Sequence, residues 1–262
     1  MPNEIFYWAA INRGASGPFT PSGLSGLVMW LDAQDTSTIT TAAGAELISW
    51  ADKSTNGLTM GELHPGSNPT LSVTGLNGKQ AIDYSGANQL SASSFGSAME
   101  FLAGGSDTGY SYFMVYKADT VNSTTGIMSR GRSTNGPYYW IFNPDTILVR
   151  NATGGSVFIG IQGTALALTT PLVVGLTYSG SATFNSFEIT VNGSASTITL
   201  ASTSAEAYLN MQADTGNLTF GNQGSGTQFF NGQIGEFIMY NRRLTSAQQT
   251  QVTNYLLAQW GL

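Results

Sequence analysis

From Gly26 onward, apolar and polar positions alternate in short runs, and clusters of Gly, Asn, Ser and Asp separate the runs. Runs of that length between turn residues predict β-strands. The clearest cover 27–33, 47–53, 79–85, 110–118, 125–131, 137–143, 156–162 and 171–179. Others follow at 187–191, 196–200, 217–222 and 233–241. Phe187, Ile189 and Val191 alternate with Glu188 and Thr190, so this strand has one buried face and one wet face. Asn192-Gly193 supplies the positive φ angles of a tight turn, which predicts a hairpin between 187–191 and 196–200. So many strands, with no helices between them, predict an all-β, two-sheet antiparallel sandwich. No repeat of fixed period suggests a propeller or β-helix.

The last segment changes the period. Thr245 with Gln248 three residues on forms a capping box, and Gly261 stands where a helix would stop. Val252, Tyr255, Leu256 and Trp260 make one apolar stripe, which predicts an amphipathic helix over 245–260 lying on the sandwich. A second, short helical stretch is expected at 97–104. Residues 1–23 read as an arm, with an aromatic cluster at Phe6, Tyr7 and Trp8, then Phe19 among glycines and prolines. The arm either lies on its own domain, 24–262, or docks on a neighbouring subunit through those four rings.

Composition narrows the function. Only 9% of the 262 residues are charged, against roughly 25% in ordinary domains. A surface so poor in repelling charge tolerates protein contacts. The net charge is −6 and the cations are dispersed, which excludes phosphate-led nucleic-acid binding and argues against an anionic membrane surface. Cysteine is absent, so disulfides, thiolate chemistry and Cys-based zinc sites are excluded. The first residues lack the pattern of a secretory signal, and no window is apolar enough to span a membrane. Four N-x-S/T sequons, at Asn122, Asn151, Asn192 and Asn217, are what chance gives in a chain so rich in Asn, Ser and Thr.

Four segments resemble one family. "GLVMWLDAQD" (26–35) carries Trp30 and Asp32. "ISWADKSTNG" (48–57) carries Trp50, Asp52, Lys53, Ser54, Asn56 and Gly57. The third is "NPTLSVTGLNGKQAIDYSGANQL" (68–90), and the fourth is the closing strand and helix, 229–262. Together they resemble the laminin-G-like branch of the concanavalin A-like lectin/glucanase jelly rolls, a form common in bacterial surface proteins and bacteriophage virion proteins. The resemblance implies a concanavalin A-like jelly roll. It leaves function open, because this fold hosts enzymes, lectins and structural modules.

The chemistry-bearing residues give few leads. Glucanases of this superfamily present acidic residues alternating along one strand, whereas Glu188, Glu206 and Glu236 each stand without an acidic neighbour two residues away. The one histidine, His64, sits in a Gly/Pro loop, which leaves no Ser-His-Asp triad. Calcium, which some laminin-G-like domains bind, would use Asp32 and Asp35 or Asp52 and Asn56. The stretch 52–57 reads more simply as a turn. Gly221, Gly224 and Gly226 open no helix, so they do not form a phosphate loop. In "PYYWIFNPD" (137–145), Tyr138, Trp140 and Phe142 point one way and are the candidate glycan-stacking rings.

These readings lead to a non-enzymatic structural protein of a phage virion: a capsid decoration, fibre or tail-associated subunit. It would be made in the host cytoplasm and meet other virion proteins or copies of itself. The alternative is a carbohydrate-binding module for host or environmental glycans, and a glycoside hydrolase ranks third. No cofactor is expected beyond the calcium candidate. From Leu244 to Leu262 no side chain is charged, so the outward helix face is expected to contact another subunit.

Overall fold

The computed structural model describes residues 18–62, 66–92, 99, 101–120, 126–130, 148–152, 158–163, 169–203, 208, 210–211, 217–222 and 229–262. In chain order the first strands are β1 (Leu27–Asp32), β2 (Ile39–Thr41), β3 (Leu47–Ala51), β4 (Thr59–Gly61), β5 (Thr70–Ser72), β6 (Ala81–Ser85) and β7 (Leu90–Ala92). Then come β8 (Leu102–Ala103), β9 (Ser106–Asp107), β10 (Tyr110–Ala118), β11 (Met128–Arg130), β12 (Leu148–Ala152) and β13 (Phe158–Gln162). The last are β14 (Leu172–Tyr178), β15 (Phe187–Val191), β16 (Ser194–Ala195), β17 (Thr199–Thr203), β18 (Leu218–Phe220) and β19 (Asn231–Tyr240), followed by the helix α1 (Ser246–Trp260).

Two antiparallel sheets form the sandwich. One runs β16-β15-β14-β10-β19-β6-β5, with β1 also on β19, and the other runs β11-β18-β7-β4-β3-β2. Every described strand pair is antiparallel, as the alternating pattern and tight turns require. Strand alternation divides the first sheet into two faces. Tyr112 and Phe237 face the second sheet, where Phe220 meets Phe237 edge-on at 5.1 Å. Trp30, Ser111, Glu236 and Tyr240 lie on the opposite face, which α1 and the segment from Pro18 cover.

The helix is capped as the sequence predicts. Thr245 Oγ1 accepts from the Gln248 N–H, Gln248 Oε1 accepts from the Thr245 N–H, and Gly261 closes the helix at φ 66°. Val252, Leu256 and Trp260 are buried, and Tyr255 is half-buried. The other end is held from a distance. Asn77 Nδ2 donates to the Trp260 carbonyl at 3.0 Å, and Lys79 Nζ donates to the Gln259 carbonyl. Those carbonyls have no partner within the helix, and a cation there also favours the dipole. The Asn77-Gly78-Lys79 segment thus ties the second quarter of the chain to its end.

Two expectations are corrected. The partner of β15 in the hairpin is β16, with Val191 opposite Ser194, and not 196–200. Asn192 (φ 49°) and Gly193 (φ 82°) form a two-residue loop, so pairing must begin at 194. β17 pairs with β13 instead. Of the stretch 97–104, residues 99 and 101–104 are described, and Leu102–Ala103 within it is strand, paired with β9.

Gly235 is the unpaired residue of a bulge between β10 and β19. A methyl group there would stand 2.5 Å from the Trp260 indole. Gly235→Ala is therefore expected to cost about 1–3 kcal/mol through overpacking. Loss of the cap in Thr245→Ala should cost about 1 kcal/mol. Urea denaturation checks both; a Gly235→Ala protein as stable as the wild type would contradict the packing described.

Candidate functional site: a buried carboxylate and a polar cleft

The outer face of the first sheet carries an unusual carboxylate. Glu236 is fully buried at the centre of the sheet. Its Oε1 accepts from Trp30 Nε1 at 2.8 Å and from the Tyr255 hydroxyl at 2.9 Å, and its Oε2 accepts from Trp260 Nε1 at 2.8 Å. Asp32 is its cross-strand neighbour. Burial, then the charge of Asp32, pushes the Glu236 carboxyl up to about 7, although the three donors pull it down. With three donors on its oxygens and no exposure, Glu236 offers no face to a substrate.

A cation network adjoins it. Lys53 Nζ sits 2.9 Å from both Asp32 Oδ2 and Asp35 Oδ2, and 4.2 Å from the centre of the Trp30 ring. Burial works against the Lys53 charge, but bonds to Asp35 and Asp32 outweigh it and raise its pKa. Ser37 and Lys53 hold the Asp35 carboxyl below its ordinary value. Asp52 Oδ1 accepts from the Trp30 and Ser54 backbone N–H groups, and Asn56 Nδ2 donates to the Val28 carbonyl. The calcium candidates are thus bonded to an ammonium group, backbone groups and side chains, in the turn geometry of the simpler reading. Among the described residues no group of three His, Asp or Glu could hold a metal.

A cleft of about 660 Å³ opens between α1 and the β15–β16 hairpin. The volume falls within the range of small-molecule sites. The hairpin forms one wall: Asn192 Oδ1 accepts from the Val173 N–H, and its own N–H donates to the Val173 carbonyl, both at 2.8 Å. The turn tip reaches the helix, since a Cβ on Gly193 would lie 3.5 Å from Thr253 Cγ2. The other wall is the α1 face of Ser246, Gln249, Thr250, Thr253, Asn254 and Leu257. Asn254 is exposed. The apolar lining comes mainly from Ile189, Ile198 and Leu257. The one aromatic ring among the described lining residues, Phe187, is buried and stacked on Tyr178 at 4.4 Å. Glu188 stands at the rim, and its Oε1 accepts from Arg243 Nη2 at 2.5 Å.

The residues expected to carry function fall as follows. Tyr138, Trp140, Phe142, Phe6, Tyr7, Trp8, His64 and Glu206 lie outside the described residues. Phe19 packs on Tyr255, ring centres 5.9 Å apart, and the Tyr240 hydroxyl donates to the Pro21 carbonyl, so the described end of the arm lies on its own domain. Trp30 and Trp50 are buried. The cleft was not foreseen. Its one local signal was the uncharged helix face, and no pattern ties that face to the hairpin.

The chain matches no protein-family model and no curated protein. Its fold is similar to the binding domain of Paraclostridial Mosquitocidal Protein 1, with 13% identity and a TM-score of 0.60 over 88% of this chain and 52% of that one. It is also similar to a botulinum neurotoxin type C structure, 11% identical with a TM-score of 0.58 over 88% and 51%. Cell entry of that toxin depends on interaction with two ganglioside molecules. A third similar structure is domain 4 of an extracellular arabinanase from Geobacillus stearothermophilus in complex with arabinotriose, 14% identical with a TM-score of 0.53 over 87% and 98%. The chain spans about half the length of the toxin chains it matches. These likenesses are of fold: an all-β, two-sheet antiparallel sandwich of jelly-roll type.

Glu236 makes stability depend on pH. Its folded pKa lies above the ordinary 4.5, so the folded state holds the proton more tightly. Stability is therefore expected to fall as pH rises from about 4.5 to about 7. In Glu236→Gln that slope should vanish. The amide N–H would also face an indole N–H, with a loss of about 1–3 kcal/mol. Chemical denaturation at pH 5 and pH 8 checks both; an unchanged slope in the variant would assign it to another group.

Proposed function

We propose that this is a non-enzymatic carbohydrate-binding domain and that the cleft between α1 and the β15–β16 hairpin holds the sugar. The observation that carries the reading is the lining: hydroxyl and amide groups on both walls and aliphatic carbons between them. A saccharide presents the matching surface, hydroxyls around a C–H face. Similarly folded domains have been solved with arabinotriose or linked to gangliosides, which supports the reading. The described acidic residues supply no second carboxylate across the cleft from Glu188, and glycoside hydrolysis needs a facing pair.

The helix face favours a second reading. Ser246, Thr250, Gln251 and Asn254 are exposed and uncharged, which suits a contact between subunits, including the virion subunit expected from the sequence. Sedimentation velocity separates the two readings. Concentration-dependent self-association abolished by Asn254→Arg would favour the interface.

Asn254→Trp fills the cleft from an exposed helix position and should leave the fold intact. Glycan-array screening followed by calorimetry is expected to find binding in the wild type and at least about tenfold weaker binding in the variant. Absence of binding to every glycan at millimolar concentration would refute the proposal.

A further inference from the structure

The cleft is nearly without charge, and this narrows what it accepts. Of the sixteen described residues that line it, only Glu188 is ionic. That carboxylate is already engaged. Arg243 pairs with one oxygen, and Thr177 Oγ1 and Gln249 Nε2 approach the other at 3.3 Å each. The remaining polar lining consists of hydroxyls, side-chain amides and backbone groups. None of the described lining residues is lysine or arginine, and the chain as a whole is at −6.

We infer that the cleft selects uncharged saccharides and rejects those bearing carboxylate or sulfate groups. The inference rests on the carbohydrate reading above and adds the ligand's charge class. An anionic sugar entering the cleft would lose water around its charge, while the cation at the rim, Arg243, is already paired with Glu188. It would also approach Glu188. A cationic amino sugar gains little, because Glu188 already has its counter-ion. A neutral sugar exchanges its water hydrogen bonds for those of Asn254, Thr250 and the hairpin, and lays its C–H face on Ile198 and Leu257. Among the described lining residues no aromatic ring is exposed, so their contact with the sugar face is aliphatic. Discrimination therefore comes from penalising the wrong charge.

Glu188 and Arg243 give the test. Their side chains are 48% and 36% exposed, so the pair is worth little to stability, and Glu188→Gln should fold. The substitution removes the rim anion and releases the Arg243 guanidinium beside the cleft. The probes are arabinotriose, lactose and sialyllactose, with sulfated forms of the neutral sugars, each titrated by calorimetry. Wild-type protein should bind the neutral sugars at least about tenfold more tightly than their anionic forms, with little dependence on salt. In Glu188→Gln the ratio should fall severalfold, through a gain for the anionic forms. Equal or tighter wild-type binding of the anionic forms would overturn the inference while leaving carbohydrate binding in place. So would a ratio unchanged in Glu188→Gln. Failure of every sugar to bind would remove the carbohydrate reading itself, and the inference with it.

Discussion

Three ring donors converge on one point of the first sheet, and each would be costly to bury without an acceptor. Trp30 brings one from β1; Tyr255 and Trp260 bring two from α1. The side chain between them must accept three times and donate nothing. An ionised carboxylate meets that condition, and an amide does not. Desolvation of Glu236 opposes this arrangement and raises its pKa; the directed bonds offset part of that cost. Hydrophobic burial draws α1 to the sheet but has no direction. The bonds to Glu236, with Asn77 and Lys79 at the helix end, fix where along the sheet the helix lies.

The same arrangement explains the four segments that resemble laminin-G-like jelly rolls. Trp30 and Asp32 from the first, Asp52, Lys53, Ser54 and Asn56 from the second, Asn77 and Lys79 from the third, and Glu236, Tyr255 and Trp260 from the fourth meet around the helix and β1. Lys53 joins two of the segments by holding Asp32 while lying over the Trp30 ring. These residues are occupied with each other. They hold the fold and offer no open site, which is why a resemblance carried by them says little about function.

What could be read from the sequence was local. The capping box, the left-handed stop at Gly261 and the two faces of β15 each depend on residues a few positions apart. The partner of β15 was missed because 196–200 looks more like a strand than Ser194-Ala195. The turn at Asn192-Gly193 settles the register, whatever the propensities beyond it. Glu236 was read only as an acidic residue without an acidic neighbour. One of its donors stands 206 residues away, and no local pattern reaches that far. The cleft was hidden for another reason. The uncharged outer face of the helix reads from the sequence as a contact for another subunit, and no local pattern places a hairpin beside it.

Low charge sets the terms of binding in such a cleft. A neutral ligand gains nothing from long-range attraction, and each hydrogen bond it makes replaces one to water, for a net of about 1 kcal/mol. Affinity then depends on how little freedom is lost on binding. Here both walls are held before any ligand arrives. Asn192 fastens the hairpin to Val173 through two hydrogen bonds. Glu236 fastens the helix from beneath, on the side away from the cleft. The buried carboxylate, which touches no ligand, thereby keeps Asn254, Thr250 and Leu257 where a sugar would meet them.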